Sequence, residues 1–446
     1  MDIKKARPIL ETLSLEKYLL DNFSDSKHKY FFSTMRAVYV LYIIKMCEDD
    51  GNFSVEVFPD MYAIIEKGRQ RSESELYKSL TSNEIKNTFK WIEYATRGQS
   101  DNILWFILRE NMITGSTFEA FYKTGKIKSC LYDLFSYTGN WIAFGRKHEP
   151  LVKKLVSTYI DNLALENIGL LVDPFSGLFA TSLDMCSGIN NDSSVLYFNE
   201  NIQIYEIKCR CKHIYTTDNR AIQLLLSDPN IETFAAVIKT APLPIIEYRP
   251  YGCVSSSAEY LTSHDKIFFS GRKRKLIKER DDWMNYLIEQ NNRNTSTVYI
   301  FDCEQSGLIS VKASFNVPIY FNPRHKYFYQ LMLQYFIATQ YYIKDHVDPE
   351  TIESRHLPKT NIVTAIFRER ELEEITVDNA RFTGCEIPLA CIVTPVTLSD
   401  VCVTPLLEKA FERYILQVKN NTNIDLWEPS FLSGFVACHH PTPKTP

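Results

Sequence analysis

The spacing of apolar residues changes near residue 168, and this change constrains the fold of the 446-residue chain more than any other feature. Before it, apolar residues recur at helical intervals, as Ile85, Phe89 and Ile92 do in EIKNTFKWIEYA. After it, apolar and β-branched residues tend to alternate with polar ones, which predicts strands. The strand candidates are LFATSLDM (178–185), VLYF (195–198), IQIYEIKCRCKHIY (202–215), TVYIFD (297–302), LISVKASF (308–315) and NIVTAIF (361–367).

Helical patterns separate these strand candidates. They lie at EPLVKKLVSTYIDNL (149–163), RAIQLLLSD (220–228), RHKYFYQLMLQYFIATQYY (324–342) and LLEKAFERYILQV (406–418). Strands mixed with helices in this way predict an α/β core, with a mixed central sheet flanked by helices. We expect a mainly helical N-terminal lobe over 1–140, the α/β core over 141–438 and a loose tail over 439–446.

Composition narrows the class of protein. The eleven cysteines are scattered and odd in number, which favours reduced thiols over a disulfide framework. No apolar run approaches the ~20 residues that cross a bilayer, and the first residues lack the apolar region of a secretory signal. We therefore expect a globular protein of the cytosol or nucleus, with no membrane partner.

The net charge of −4 gives no support to nucleic-acid binding, so local basic clusters would have to provide it. Three clusters stand out, KTGKIKSC (123–130), GRKRKLIKER (271–280) and NPRHKYFYQ (322–330). Each is also typical of an ordinary solvated surface. The second is typical of a nuclear localisation patch as well.

The charged residues of segment 202–215 lie two apart, so a strand would place them on one face: Glu206, Lys208, Arg210 and Lys212. One interpretation is an edge strand with a solvated face. The other adds Asp184, which ends another apolar strand about twenty residues upstream. An aspartate followed by Glu-x-Lys on adjacent strands is the arrangement of PD-(D/E)xK nucleases.

That arrangement suits the hydrolysis of a phosphodiester. A divalent cation can neutralise the phosphate, activate water and stabilise the leaving oxygen. Mg²⁺ prefers oxygen ligands, so Asp184, Glu206 and the main-chain carbonyl of Ile207 suit it, with Mn²⁺ as a substitute. Lys208 can orient the attacking water or offset developing charge. Glu149 opens a predicted helix and is a third carboxylate, although the helix dipole alone also favours glutamate there.

Seven segments resemble the herpesvirus alkaline nuclease family, and most of all its gammaherpesvirus branch, the shutoff and exonuclease (SOX) proteins. They occur in the family's order and cover nearly the whole chain from about residue 85. The segments are IAFGRKHEPLVKKL (142–155), GLFATSLDM (177–185), YEIKCRCKHIY (205–215), FNPRHKYFYQLMLQ (321–334), IFRERE (366–371), IPLACIVTPV (387–396) and WEPSFLSG (427–434).

The resemblance implies a lambda-exonuclease-like PD-(D/E)xK fold and a Mg²⁺-dependent deoxyribonuclease. The implied activities are 5′→3′ exonuclease action on linear duplex DNA with 5′-phosphate ends and endonuclease action, both with an alkaline optimum. They would process replicating viral DNA in the host nucleus, with a viral single-strand DNA-binding protein as a partner. One alternative is RNA cleavage in host shutoff, in the cytoplasm. Another is a catalytically weak DNA-binding scaffold for recombination.

Motif matches assign the site residues that the resemblance implies. Glu149, Asp184, Glu206 and Lys208 take the catalytic positions. The metal positions fall on the same three carboxylates and on the carbonyl of Ile207.

Other matches are to polar positions that line the family's site, here Gln99 and Ser182. The chain departs from the family in its short N-terminus and in the linker LFSYTGNWIAFG (134–145). In gammaherpesvirus relatives this linker crosses the active site and tends to have proline where this chain has Trp141. The departure in this linker weakens the implication that the protein cleaves RNA.

Further residues are predicted to contact the DNA phosphates. Arg324, His325 and Gln330 lie at or near the start of a predicted helix, whose N-terminus attracts anions. Arg368 and Arg370 alternate in IFRERE, so one strand face would present both guanidiniums to a terminal phosphate.

Two sources would account for an alkaline optimum. Metal ions would lower the pKa of Lys208, so that its neutral amine could accept a proton from water. Alternatively, the metal-bound water itself would ionise as the pH rises.

Overall fold

The computed structural model describes most of the chain between residues 33 and 420. The described residues are 33–34, 36–38, 40–41, 44, 59–71, 79–109, 112–126, 140–166, 168–190, 196–211, 214–241, 245–249, 253–254, 258–263, 266–268, 277–278, 282–339 and 357–420. Several predicted features lie wholly or mostly outside them. These are the basic cluster 271–280, the first part of the linker 134–145, the segment 427–434 and the tail 439–446.

The helices follow the predicted order with shifted ends. In chain order, α1 to α10 are Pro59–Gln70, Ser82–Ala95, Ile103–Leu108, Phe118–Thr124, Asn140–Tyr159, Arg220–Ser227, Ile231–Lys239, Asp282–Asn291, Lys326–Ile337 and Asp400–Asn420. Short 3₁₀ helices lie at Gln99–Asp101 and Lys266–Phe268. Among the described residues, no helix is both long enough and apolar enough to cross a membrane.

The strands β1 to β16 form one large sheet and several small ones. In chain order they are Ile113–Thr114, Leu170–Val172, Phe179–Ser182, Met185–Asn190, Tyr197–Cys209, Ile246–Tyr248, Cys253–Val254, Tyr260–Thr262, Ile277–Lys278, Ser296–Cys303, Ile309–Val317, Tyr320–Phe321, Lys359–Arg368, Glu374–Val377, Ala380–Thr383 and Ile387–Val396.

The large sheet has six strands in the order β11-β10-β16-β13-β5-β4. The β13–β5 pair is parallel and every other pair is antiparallel. The predicted mixed α/β core is therefore confirmed. β5 lies between β13 and β4, so the interpretation of segment 202–215 as an edge strand is wrong.

Two helices cover opposite faces of β5. Tyr205 and Ile207 pack in one buried apolar cluster with the inner face of α5, including Leu155. Ile204 belongs to a second cluster with α9. Glu206 and Lys208 share the face of Ile204 because side chains alternate along a strand. The charged face is thus covered by α9 rather than by solvent.

Two predicted strands end earlier than their sequence patterns indicate. The segment 178–185 breaks into β3 and β4, and Leu183 and Asp184 form the connection between them. β5 ends at Cys209, so the charged stripe on the strand stops at Lys208. Arg210 lies beyond the end of the strand, and its guanidinium pairs with Glu259. Residue 212 is outside the described residues.

We call the described elements from α1 to β1 the N-terminal lobe. The lobe joins the core through a small sheet ordered β1-β3-β2. Helix α2 begins at a capping box in which Thr81 and Glu84 satisfy each other's backbone amides. It packs on β2 so closely that a Cβ added to Gly169 would lie 1.7 Å from the carbonyl oxygen of Glu93. The backbone amide of Gly169 also donates to the Glu93 carboxylate at 2.9 Å. The lobe and the core are therefore held in direct backbone contact.

Gly169→Ala is expected to destabilise the protein by about 1–3 kcal/mol, because the added methyl must displace the backbone of α2. Gly145→Ala is the matched control, since Gly145 is in helix α5 and, apart from its chain neighbours and the backbone of its own helix, no atom lies within 4 Å of its Cβ position. There the same methyl should stabilise by about 0.5–1 kcal/mol. Urea unfolding followed by tryptophan fluorescence measures both. Equal effects of the two substitutions would contradict the tight packing at Gly169.

Candidate active site

A cleft of about 350 Å³ lies where the N-terminal lobe meets the sheet and α9. It collects most of the residues predicted from the sequence, although they come from five separate places in the chain. The predicted residues that line it are Gln99, Glu149, Ser182, Asp184, Glu206, Ile207, Lys208 and Gln330.

Glu206 is the most enclosed of these residues, with 1 % of its surface exposed. Its Oε1 contacts the ammonium of Lys208 and accepts a hydrogen bond from Gln330 Nε2 at 2.6 Å. Its Oε2 accepts a second bond from Gln334 Nε2, also at 2.6 Å. The two glutamines are one helical turn apart on α9, so both face β5. A buried carboxylate needs such partners because burial without them is costly.

Asp184 sits beside Glu206 at the break between β3 and β4. Its Oδ2 accepts a hydrogen bond from the backbone amide of Ile207 at 2.8 Å, which ties the break to β5. Burial raises the pKa of the Asp184 carboxyl to about 6, and the negative charge of Glu206 adds to the rise. The cleft therefore concentrates negative charge in a desolvated place.

Glu149 faces the same cleft from α5 and pairs with Lys153 one turn later at 2.8 Å. Burial raises the pKa of Glu149, and the charge of Asp184 raises it further. For Lys153, burial lowers the pKa, but the carboxylates of Glu149 and Asp184 outweigh burial and raise it overall. Lys153 was not predicted from the sequence, although its spacing of four from Glu149 was visible there.

Lys208 is a half-buried cation next to the carboxylates. Burial acts to lower its pKa, but the charges of Glu206 and Asp184 dominate and raise the pKa above the ordinary value. Its Nζ also lies 4.7 Å from the centre of the Tyr327 ring. The protein's own charges therefore move this pKa in the opposite direction from the one expected from the sequence.

Gln99 and Ser182 position the backbone of the cleft. Gln99 has a left-handed φ of 46° and donates from Nε2 to the carbonyls of Ile168 and Leu183, both at 2.9 Å. Ser182 Oγ accepts from the indole of Trp105 at 2.8 Å. The contacts at Ser182 and Leu183 fix the β3 side of the Asp184 connection against the lobe.

The lobe adds cleft residues that the sequence pattern does not identify. The guanidinium of Arg109 stacks over the Trp105 ring at 3.6 Å and donates to Thr114 Oγ1 at 3.4 Å. Arg146 on α5 and Lys326 on α9 also line the cleft. No periodicity links these positions in sequence, because they meet only through the packing of the lobe on the core.

The other predicted phosphate contacts lie elsewhere. Arg324 and His325 line a neighbouring pocket, and His325 caps α9 by accepting from the Tyr327 amide at 3.4 Å. β13 ends at Arg368, so the expected strand face with two guanidiniums is not formed. Arg368 is buried and pairs with Glu371 at 3.1 Å, and Arg370 donates to the Gly384 carbonyl at 2.9 Å. Their contact with DNA stays a prediction.

The donor set of the cleft suits a hard cation in its chemistry, because the carboxylates of Asp184, Glu149 and Glu206 supply oxygens. Burial first, and then neighbouring negative charge, raises the pKa of Asp184 and of Glu149, and a cation would stabilise their charged forms. Among the described residues, however, no three His, Cys, Asp or Glu side chains are grouped so that they could hold a metal as they stand. As the structure stands, Glu149 is paired with Lys153 and Glu206 with Lys208.

Relatives of known sequence show what this chain is similar to. It is 39 % identical to the alkaline nuclease of elephantid herpesvirus 1, over 80 % of this chain and 76 % of that protein. It is 30 % identical to the shutoff alkaline exonuclease of Epstein–Barr virus, over 89 % of this chain and 90 % of that protein. The resemblance noted in the sequence motifs is thereby confirmed across the chain.

Solved structures agree with the fold. A SOX–DNA complex matches with a TM-score of 0.72 and 24 % identity, covering 97 % of this chain and 96 % of that one. An RNA complex of SOX from Kaposi's sarcoma-associated herpesvirus matches with a TM-score of 0.71 and 23 % identity, covering 97 % of this chain and 99 % of that one.

The family model for viral alkaline exonucleases matches residues 6–432. The chain therefore belongs to the viral alkaline exonuclease family and is an enzyme of the nuclease class.

Proposed function

We propose that this nuclease is a Mg²⁺-dependent deoxyribonuclease with a PD-(D/E)xK site, acting as a 5′→3′ exonuclease and an endonuclease. The observation that carries the proposal is the buried contact of Glu206 with Lys208 beside Asp184, inside a cleft that cationic side chains also line. Carboxylates for a cation and a lysine for the phosphate are the groups that phosphodiester hydrolysis requires.

The carboxylates of Asp184, Glu206 and Glu149 and the carbonyl of Ile207 would hold Mg²⁺, with Mn²⁺ as a substitute. When bound, the ion supplies Lewis acidity and lowers the pKa of a coordinated water. Lys208 donates to an oxygen of the scissile phosphate or to the attacking water, because its raised pKa keeps the ammonium charged. Gln330 and Gln334 hold the Glu206 carboxylate in place while this occurs.

Cationic side chains around the carboxylates bring the phosphate backbone to them. Arg109 from the lobe, Arg146 from α5 and Lys326 from α9 line the same cleft from different sides. Their charge offsets the repulsion between a polyanion and the three carboxylates. A linear duplex with a 5′-phosphate is the substrate that we propose, in the processing of replicating viral DNA in the host nucleus with a viral single-strand DNA-binding protein.

RNA is a second candidate substrate, cleaved in the host cytoplasm by the same residues. It is supported by the shutoff alkaline exonuclease among the relatives and by the SOX–RNA complex among the similar structures. One assay tests both substrates: purified protein with Mg²⁺, or with EDTA, on 5′-phosphorylated linear duplex, closed circular duplex and structured RNA. Absence of Mg²⁺-dependent DNA cleavage would contradict the proposal, and RNA cleavage at a comparable rate would favour the second candidate.

Glu206→Gln and Asp184→Asn are each expected to lower the rate of DNA cleavage by about 100-fold or more, because each amide removes a charge at nearly constant shape. DNA binding measured in Ca²⁺ should remain close to that of wild type. Asp302→Asn is the control, since this carboxylate is on β10, pairs with Lys312 and does not line the cleft. Wild-type turnover by either cleft variant would remove this site from the mechanism.

Lys208→Arg separates the two sources of an alkaline optimum. A group with a raised pKa keeps its proton until the pH reaches that value, so Lys208 should stay charged through the alkaline limb. We therefore expect Lys208→Arg to retain measurable activity with the same limb, and Lys208→Met to lose about 100-fold at every pH. The pH–rate profiles from pH 6 to 10 are the measurement. Loss of the limb in Lys208→Arg alone would show that a neutral lysine acts as the base.

A further inference from the structure

A second pocket, of about 490 Å³, opens beside the active-site cleft. Four helices form it: Tyr122 and Lys123 come from α4, Trp283 from α8, Lys326 from the start of α9 and Lys409 from α10. We call it the cationic pocket. Its volume falls within the ~300–1,000 Å³ of pockets that enclose small ligands.

The charge of the cationic pocket is strongly one-sided. Lysines line it on three helices, and Arg324 adds a guanidinium before α9. The carboxylate of Glu119 also lines the pocket, but it is already in contact with the ammonium of Lys123. Such an excess of positive charge in a concave place attracts an anion.

Aromatic rings lie among these cations. Lys409 Nζ and the Arg413 guanidinium each lie 5.6 Å from the centre of the Tyr122 ring. Lys123 Nζ lies 5.9 Å from the centre of the Tyr329 ring. Single-stranded nucleic acid binds grooves that combine cations with aromatic faces, because its phosphates pair with the cations and its bases stack on the rings.

The cationic pocket continues the active-site cleft. Lys326 lines both of them, at the N-terminal end of α9. One turn further along the same helix, Gln330 holds Glu206. A strand whose phosphate lies in the cleft could therefore follow α9 past Lys326 into the pocket.

We propose that the cationic pocket binds the single-stranded part of a nucleic-acid substrate that continues beyond the cleavage site. The phosphates pair with Lys409 and Lys326, and a base stacks against Tyr122 or Trp283. A pocket of this size admits part of a single strand but not a duplex. The inference rests on the proposed nuclease function and extends it to the path of the strand.

The test compares two charge reversals in the full chain. Lys409→Glu places a carboxylate in the pocket, and Lys409 is an exposed side chain that the core does not need. Lys239→Glu is the matched control, an exposed lysine at the end of α7 that lines neither cavity. The probe is a fluorescent single-stranded DNA 12-mer, with EDTA present so that cleavage does not interfere.

For Lys409→Glu we expect a higher Kd and a slope of log Kd against log[KCl] that falls by about 0.7–1.4, the loss of one or two phosphate contacts. Lys239→Glu should leave the slope within error of wild type. Equal Kd and slope for the two variants would overturn the inference.

Crosslinking locates the strand independently. With a 12-mer that carries 5-iodouracil, irradiation should join the DNA to tryptic peptides that contain Tyr122 or Trp283. Crosslinks confined to residues of the active-site cleft would overturn the inference. Cleavage of linear duplex by wild type with Mg²⁺ is measured separately, so failure of the nuclease proposal is distinguishable from failure of the pocket.

Discussion

The burial of one charge, the carboxylate of Glu206, governs the arrangement around it. A carboxylate with 1 % exposure is tolerated only with a nearby cation and hydrogen-bond donors. Lys208 supplies the cation from the same strand, while Gln330 and Gln334 supply donors from α9. These contacts fix the rotation of α9 against the sheet, so strand β5 and the site stabilise each other. Loss of any of the three partners would leave part of a buried charge unsatisfied.

Helix α5 covers the other face of β5, as α9 covers the face that carries Glu206. Its apolar side packs on Tyr205 and Ile207, and its exposed edge carries Glu149 into the cleft. Burial lowers the pKa of His148, and the neutral ring donates to the Phe144 carbonyl at 2.8 Å and accepts from the Glu386 amide at 3.1 Å. The bond to Glu386, which immediately precedes β16, fixes the helix at the residue before Glu149. Glu149 and Glu206 therefore belong to elements fixed by packing, and Asp184, in the connection between β3 and β4, is tied to β5 by its bond to the Ile207 amide.

The sequence was sufficient to predict that Asp184, Glu206 and Lys208 lie together, but not what surrounds them. Glu206 and Lys208 were predictable because they are charged residues two apart, which places them on one face of a strand. Asp184 was predictable because it ends an apolar run. The break of that run at Leu183 was not predictable, since it depends on Gln99 donating to the Leu183 carbonyl from 84 residues away. Arg109 and the cationic pocket depend on packing between distant helices. The raised pKa of Lys208 depends on how closely two carboxylates approach it.

The same carboxylates argue against a protein that only binds nucleic acid. Asp184, Glu149 and Glu206 face a cleft that phosphates would enter, and each would repel them. Burial and mutual repulsion already raise the pKa of Asp184 to about 6. A binding surface would gain affinity by replacing these groups with amides. Their presence suits the divalent cation that we propose, because they would hold it and its positive charge would offset their repulsion of the phosphates.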